Sequence, residues 1–131
     1  MDWQRREILG ALALLGGVAQ AAPQEQKPMC GLIGKLVSAA GKRDELISLL
    51  LQGSVEMPGC LSYIVARDSA DDDSIWITEV WDDKASHDAS LSLPAVQKAI
   101  AAAQPMIAAF NTPVVTTPVG GHGLPAAKRA G

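Results

Sequence analysis

Few side chains in this sequence of 131 residues combine a reactive or polar group with a position in an ordered element. Its two histidines can exchange a proton near neutral pH. A tyrosine hydroxyl and an asparagine amide can orient a phenolic oxygen, and two tryptophans near the middle of the chain can line a site for a flat aromatic ligand. We therefore predict that His87 is a catalytic base and that substrate is bound by His122, Trp81, Tyr63, Asn111 and Trp76.

Each of these residues also has a structural explanation. His87 falls on the same helix face as Leu91, four residues later, and could instead bond a backbone carbonyl. His122 lies in a glycine-rich stretch and could belong to a flexible tail or to a dimer contact. Core packing accounts for both tryptophans, and half-buried tyrosines are common on strands. The residues alone leave open whether the site is catalytic.

Motifs for bound cofactors are missing from the sequence. It has no Gly-rich phosphate loop, nucleophile elbow, zinc motif, or flavin or nicotinamide fingerprint. The acidic run at residues 71–73 lacks the Gly and the terminal Glu of a calcium loop. We predict no cofactor and no metal. An oxidation would then depend on an electron-rich substrate that reduces dioxygen, with the protein supplying a base, a dry pocket and hydrogen-bond donors.

Apolar periodicity and turn residues define the elements that must position these side chains. The predicted strands cover residues 29–37, 61–67, 75–81 and 114–119. The predicted helices cover residues 42–54, residues 82–91, and a segment that Pro94 opens and Pro105 kinks or ends, with an apolar stripe reaching Ile107. Asp82 or Asp83 is expected to cap the second helix.

The order β-α-β-β-α-β predicts a ferredoxin-like α+β fold, with one antiparallel sheet and helices on one face. Apolar residues on both strand faces leave the uncovered face apolar, and a patch of that size is expected to be buried. We predict a homodimer that packs sheet against sheet, with the last strand and residues 118–124 near or across the seam. Trp76 and Trp81 are five residues apart, so they are expected on opposite faces.

Three segments resemble a known family. Residues 76–97 join a strand with two tryptophans, paired aspartates and a helix with a histidine, and they resemble the core of the antibiotic biosynthesis monooxygenase-like (ABM) domain, in its quinol monooxygenase branch. Residues 57–63 and 117–124 resemble the same branch, so the resemblance covers roughly residues 29–124. It implies a dimeric α+β barrel and a cofactor-independent monooxygenase that oxidises quinols or related phenols with dioxygen. The alternative is a non-catalytic dimeric module of this fold that binds a small aromatic or has a structural role.

The chain departs from relatives in the same superfamily that degrade haem. The positions that resemble their asparagine, tryptophan and histidine fall near Gly34, Ser90 and Ile100, which are unsuited to haem, so this activity is disfavoured. Many ABM-like sequences also carry histidines near positions 90 and 95, where this chain has Ser90 and Ala95, with His87 one turn earlier.

The first residues predict export. Arg5-Arg6, a short apolar run and Ala19-Gln20-Ala21 resemble a twin-arginine signal peptide over residues 1–21, although an ordinary secretory signal or an uncleaved anchor fits as well. The run is too short for a membrane span. A linker then covers residues 22–28, the ABM-like domain residues 29–119 and a tail residues 120–131, in a protein that is periplasmic or secreted.

Charge and cysteine content exclude other classes. The net charge of −3, without a basic cluster, argues against a nucleic-acid partner. Cys30 and Cys60 are the two cysteines, and an exported protein could oxidise them. Each is expected to begin a strand at one sheet edge with another strand between them, which is too far for a disulfide, so two free thiols are expected.

Overall fold

The computed structural model describes residues 27–125. The predicted signal peptide, most of the predicted linker and the end of the tail lie outside the described residues, so the predicted export is not addressed by the structure. Within residues 27–125, none of the helices has the length and apolar character that crossing a bilayer requires.

The described residues form five strands and three helices. The strands are β1 Cys30–Ser38, β2 Cys60–Arg67, β3 Ser74–Trp81, β4 Ile107–Phe110 and β5 Val114–Thr116. The helices are α1 Arg43–Gly53, α2 Lys84–Ser90 and α3 Pro94–Ala103, and a 3-10 turn, Gln104–Met106, follows α3. The strand order is β2-β3-β1-β4, β5 also pairs with β1, and all pairs are antiparallel. The predicted ferredoxin-like α+β fold is confirmed.

Local sequence signals explain where the helices begin and end. Asp83 Oδ1 accepts a hydrogen bond from Ser86 N at 2.8 Å, which caps α2 as predicted. Pro94 is the first residue of α3, where its missing N–H costs nothing. The α-helix ends at Ala103, just before Pro105, because proline removes an amide donor from the helical ladder.

The prediction of the C-terminal region was partly wrong. Ile107 does not extend the helical stripe but begins β4, a strand absent from the prediction. The 3-10 turn redirects the chain onto β1, where Met106 O accepts from Ala39 N at 2.7 Å and Asn111 N donates to Lys35 O at 3.1 Å. The last strand is also shorter than predicted, ending at Thr116, before Pro118, which has no N–H to donate to a ladder.

The sheet has one covered face and one apolar face that no described helix covers. The covered face holds the core, in which Leu36, Ile75 and Ile77 pack with Leu46 of α1 and Ala103 of α3. We call the other side the open face. Its exposed apolar side chains are Ile33, Ile64, Trp76 and Val114. The predicted apolar face is therefore present.

The two tryptophans lie on opposite faces, as predicted. Trp81 is 1% exposed on the covered face, whereas Trp76 is 39% exposed on the open face. Cys30 and Cys60 both lie opposite Trp81, one on each side of β3, as free thiols, which confirms their predicted placement.

Gly59 fixes α2 against the sheet. It has φ +82° and its carbonyl accepts from Asp82 N at 2.8 Å. A Cβ at this position would collide with Ser86, in the first turn of α2. The missing side chain therefore lets α2 lie over the end of the sheet that carries Trp81.

Candidate functional site

One row of side chains crosses the covered face at the end near α2. Across four strands, Tyr63 lies opposite Glu79, Glu79 opposite Leu32, and Leu32 opposite Val115. Directly paired residues point to the same face of a sheet, so these four side chains form one line, which we call the Glu79 row.

The Glu79 row is less covered than the rows beside it. On one side Ile77 is 9% exposed and on the other Trp81 is 1% exposed. Tyr63, Glu79 and Leu32 are half-buried between them, and Val115 is exposed. Leu46 of α1 and Ala103 of α3 pack in the core with Ile77, and His87 of α2 packs on Trp81. The half-buried residues of the Glu79 row therefore lie in a gap between these two covered areas.

Gly34 widens this gap. It lies opposite Ile77 on the covered face. It is two residues from Leu32 on β1, so both positions are on the same side of the sheet. A Cβ built on Gly34 would have only Pro113 within 4 Å, at 3.9 Å. We call the space above Gly34 and beside the Glu79 row the slot. A flat ring could lie close to the backbone here because Gly34 has no side chain.

Glu79 is held by the neighbouring tryptophan. Its Oε1 accepts a hydrogen bond from Trp81 Nε1 at 3.0 Å. Within residues 27–125, Oε2 makes no hydrogen bond. The carboxylate is therefore oriented through one oxygen and has the other available to a ligand.

Tyr63 stands beside this carboxylate as a neutral hydrogen-bond donor. Burial, followed by the negative charges of Glu79 and Cys60, raises the pKa of the Tyr63 hydroxyl above its ordinary value. The phenol therefore keeps its proton at physiological pH and can donate to an oxyanion placed next to it.

His87 packs against Trp81, which lies beside the Glu79 row. Its ring packs edge-on against the indole, with ring centroids 5.6 Å apart and planes at 79°. Its Nδ1 lies 3.1 Å from Asp88 Oδ1, and 22% of the side chain is exposed. Trp81 thus lies between His87 and Glu79, with its ring against the first and its N–H bonded to the second.

The remaining predicted residues are not brought into the row. Trp76 is on the open face, where its Nε1 donates to Asp68 Oδ2 at 2.8 Å and the Lys35 ammonium lies 5.5 Å from its ring centroid. The Trp76 bond is the main cause that lowers the pKa of Asp68. Asn111 is exposed and bonds Lys35, three residues along β1 from Leu32, about 10 Å at the rise of a strand. His122 is exposed in the glycine-rich segment.

Sequence reasoning missed Glu79. Its signal was available in β3, where the odd-numbered residues Ile75, Ile77 and Trp81 are buried on one face. Glu79 is also odd-numbered, so its carboxylate lies on the same, covered face. Because carboxylates seldom lie among apolar side chains on the covered face of a sheet, such a residue stands out as a candidate for function.

A cleft of about 420 Å³ adjoins the row. Its walls come from the start of β1, the start of α2 and β5, and they include Met29, Cys30, Lys84 and Val115. Val115 is also the exposed end of the Glu79 row. His87 and Glu79 do not line the cleft.

Between residues 27 and 125, no three His, Cys, Asp or Glu side chains cluster as metal ligands would. Of the positions that the sequence analysis weighed for haem, Ser90 is buried with its Oγ donating to His87 O at 2.6 Å, and Ile100 is 45% exposed. Ile100, at the position of the expected histidine ligand, is not among the His, Cys, Met and Tyr side chains that hold haem iron.

Comparisons with known proteins agree with the fold. Residues 29–102 match the sequence profile of a family described as Antibiotic biosynthesis monooxygenase. The chain is 59% identical, with TM-score 0.72 over 74% of this chain and 99% of the other, to a candidate antibiotic biosynthesis monooxygenase from Chloroflexus aurantiacus J-10-fl. No curated protein matches the chain.

More distant structures support the fold alone. A candidate antibiotic biosynthesis monooxygenase from Caulobacter crescentus CB15 is 21% identical, with TM-score 0.60 over 70% of this chain and 89% of that one. A conserved protein from Bacteroides thetaiotaomicron VPI-5482, described as a possible oxidoreductase, is 16% identical, with TM-score 0.62 over 70% and 98% of the two chains.

Proposed function

Because this chain belongs to the antibiotic biosynthesis monooxygenase family, we propose that it is a cofactor-independent monooxygenase that oxidises quinols or related phenols with dioxygen. One oxygen atom enters a ring C–H bond to give C–OH. The other is reduced to water by the two electrons of the quinol and takes up its two hydroxyl protons. The product is a hydroxyquinone, and no external reductant is consumed.

The observation that carries this proposal is the pairing of a neutral phenol donor with a carboxylate in the half-open Glu79 row. A flat ring lying on Gly34 and Leu32 would direct a hydroxyl towards Glu79 and Tyr63. The Tyr63 hydroxyl would stabilise negative charge as it develops on the substrate oxygen. Tyr63, Glu79 and Leu32 are half-buried, so a ring bound against them would displace water from the row.

His87 serves this site through Trp81, whose indole it packs against. The prediction that His87 is the base itself stays a prediction, as do substrate-binding roles for His122, Trp76 and Asn111. A base of this kind contributes about 10²–10⁴-fold to a rate, so variants separate the two roles.

The test is oxidation of menadiol-type hydroquinones by the purified mature protein under controlled oxygen. We expect oxidation faster than the spontaneous reaction, with one atom of ¹⁸O from labelled dioxygen in the product. Oxidation at the spontaneous rate across a panel of quinols and phenols would contradict the enzyme. Saturable binding without turnover would instead support the alternative, a non-catalytic aromatic-binding module, which the close packing of Trp81 and His87 also favours.

We propose that the chain is a homodimer that joins two open faces. Proteins of this family are typically dimers, and the exposed apolar residues of the open face provide a matching surface. Burial of this surface contributes roughly 25 cal/mol per Å² before association costs. Light scattering should give twice the monomer mass at micromolar concentration, and a stable monomer would contradict the proposal.

We propose that the mature protein is exported, on the basis of the twin arginines and the small residues near position 21. Cell fractionation should place it outside the cytoplasm, and Arg5→Lys with Arg6→Lys should retain it inside. If the double variant is exported normally, the twin-arginine route is wrong.

A further inference from the structure

The Glu79 row contains a proton acceptor that is better placed than either histidine. Glu79 lies on the covered face at the end near α2, next to the slot, and its Oε1 is fixed by Trp81 Nε1 at 3.0 Å. Tyr63 is directly opposite it on β2. Among the described residues, these two groups offer one acceptor and one donor at neighbouring positions of one open row.

We propose that Glu79 is the catalytic residue that binds the substrate's phenolic O–H and accepts its proton, while Tyr63 donates to the same substrate oxygen. This assignment rests on the proposed monooxygenase function. It restricts the ligand to a flat aromatic with a free hydroxyl, because a methyl ether has no proton for the carboxylate to accept.

The proton transfer is coupled to electron transfer. In the first step the phenolic O–H bond breaks, its proton passes to a Glu79 carboxylate oxygen, and one electron passes to dioxygen. A phenoxyl radical, superoxide and a neutral Glu79 result, so charge is conserved. A carboxylate suffices as the acceptor because a phenol becomes far more acidic as it loses an electron.

Trp81 explains why Glu79 is suited to this role. Its N–H bonds Oε1 and its ring is held by His87 at 5.6 Å, so the carboxylate has a fixed orientation before substrate binds. Oε2 has no hydrogen bond within residues 27–125 and is the oxygen assigned to the substrate. His87 is therefore a positioning residue in this arrangement.

The test is anaerobic calorimetry with 2-naphthol and 2-methoxynaphthalene, which differ at the hydroxyl hydrogen. We expect the wild-type protein to bind naphthol about tenfold more tightly, the value of a charge-assisted hydrogen bond. Glu79→Gln should reduce this preference to about twofold. Glu56→Gln, an exposed carboxylate changed in the same way, should leave it intact.

Tyr63→Phe provides a second variant that keeps Glu79 and its Trp81 bond. It should weaken both ligands by a similar factor, since both have an oxygen that accepts from Tyr63, and so leave the naphthol preference unchanged. A preference that survives in Glu79→Gln, that is lost in Tyr63→Phe, or that is absent from the wild type overturns the assignment.

Measuring binding without oxygen separates this assignment from the proposed activity. If the preference for naphthol depends on Glu79 but the protein oxidises no quinol, the proposed monooxygenase activity is wrong and the Glu79 assignment stands. If Glu79→Gln oxidises quinols at the wild-type rate, the Glu79 assignment is wrong and the monooxygenase activity stands.

Discussion

Trp81 and Trp76 lie on the same strand, on opposite faces of the sheet, and each donates its indole N–H to a carboxylate. Trp81 bonds Glu79 at 3.0 Å under the helices, and Trp76 bonds Asp68 at 2.8 Å at the surface. Burial and then the negative charge of Glu79 raise the pKa of Tyr63, whereas the bond from Trp76 lowers the pKa of Asp68. An indole bonded to a carboxylate is thus part of the candidate reaction site on the covered face, and part of the proposed association surface on the open face.

The largest expected effect is loss of the proposed dimer when a charge is placed on the open face. Ile64→Asp places a charge on a side chain that is 54% exposed in the single chain but buried in the proposed dimer. Burying an unpaired charge costs several kcal/mol, so the variant should be monomeric at micromolar concentration. Ile100→Asp, on a residue of α3 that is 45% exposed, is the matched control.

Sedimentation velocity distinguishes these variants. A dimeric Ile64→Asp protein would show that the open face is not the seam. If Ile100→Asp dissociates the dimer instead, the interface lies on the helices.

Truncation of Trp81 should cost more stability than truncation of Trp76. Trp81→Ala removes a fully buried indole and should lower the free energy of unfolding by about 3–5 kcal/mol. Trp76→Ala, measured in the monomeric Ile64→Asp background, should cost less because its ring is partly exposed. Urea unfolding checks both values, and equal losses would show that the two faces are packed alike.

Loss of His87 should affect the site only indirectly. His87→Ala removes the edge contact that holds Trp81, and we expect quinol turnover to fall by less than about tenfold, well below the 10²–10⁴ expected for a general base. Steady-state rates as a function of quinol concentration measure it. A loss of three orders of magnitude with an intact fold would make His87 the base, as the sequence predicted.

The smallest effect is a shift in the titration of Tyr63, the only tyrosine in the sequence. The raised pKa makes folding favour the neutral phenol, so this stability is present below the ordinary tyrosine pKa of about 10 and is lost as pH rises above it. Glu79→Gln should lower the pKa of Tyr63, since it removes a negative charge, and flatten the alkaline loss. Ultraviolet absorbance titration measures the pKa of Tyr63, and urea unfolding as a function of pH measures the loss of stability.

Glu56→Gln is the control for this titration because its carboxylate is exposed. The burial contribution should persist in Glu79→Gln, so the pKa of Tyr63 should stay above its ordinary value. If Tyr63 titrates identically with and without the Glu79 charge, the two groups are not coupled.

Local signals were sufficient to predict most of the fold. The alternation in β3, the Asp83 cap and the two prolines around α3 act within a few residues, so the sequence displays them directly. β4 was missed because Ile107 continues the helical spacing of α3, and only pairing with β1 makes it a strand. Short apolar segments of this kind are decided by tertiary contacts.

The site was harder to predict because its parts come from four strands. Tyr63 and Trp81 were identified by residue type, but the gap above Gly34 depends on where α1, α2 and α3 pack. Glu79 was overlooked although the alternation of β3 already placed it on the covered face, because only pairing across strands brings it beside Tyr63. Register across strands, rather than any motif, joins these residues.

The measurement that tests this account most directly is quinol turnover by Glu79→Gln beside Asp68→Asn, the equivalent change at the Trp76 carboxylate. Each variant keeps an oxygen that accepts the indole N–H. We predict a loss of about 100-fold or more for Glu79→Gln, the lower range for removing a proton acceptor, and wild-type turnover for Asp68→Asn. Wild-type turnover by Glu79→Gln, or an equal loss in both variants, would contradict it.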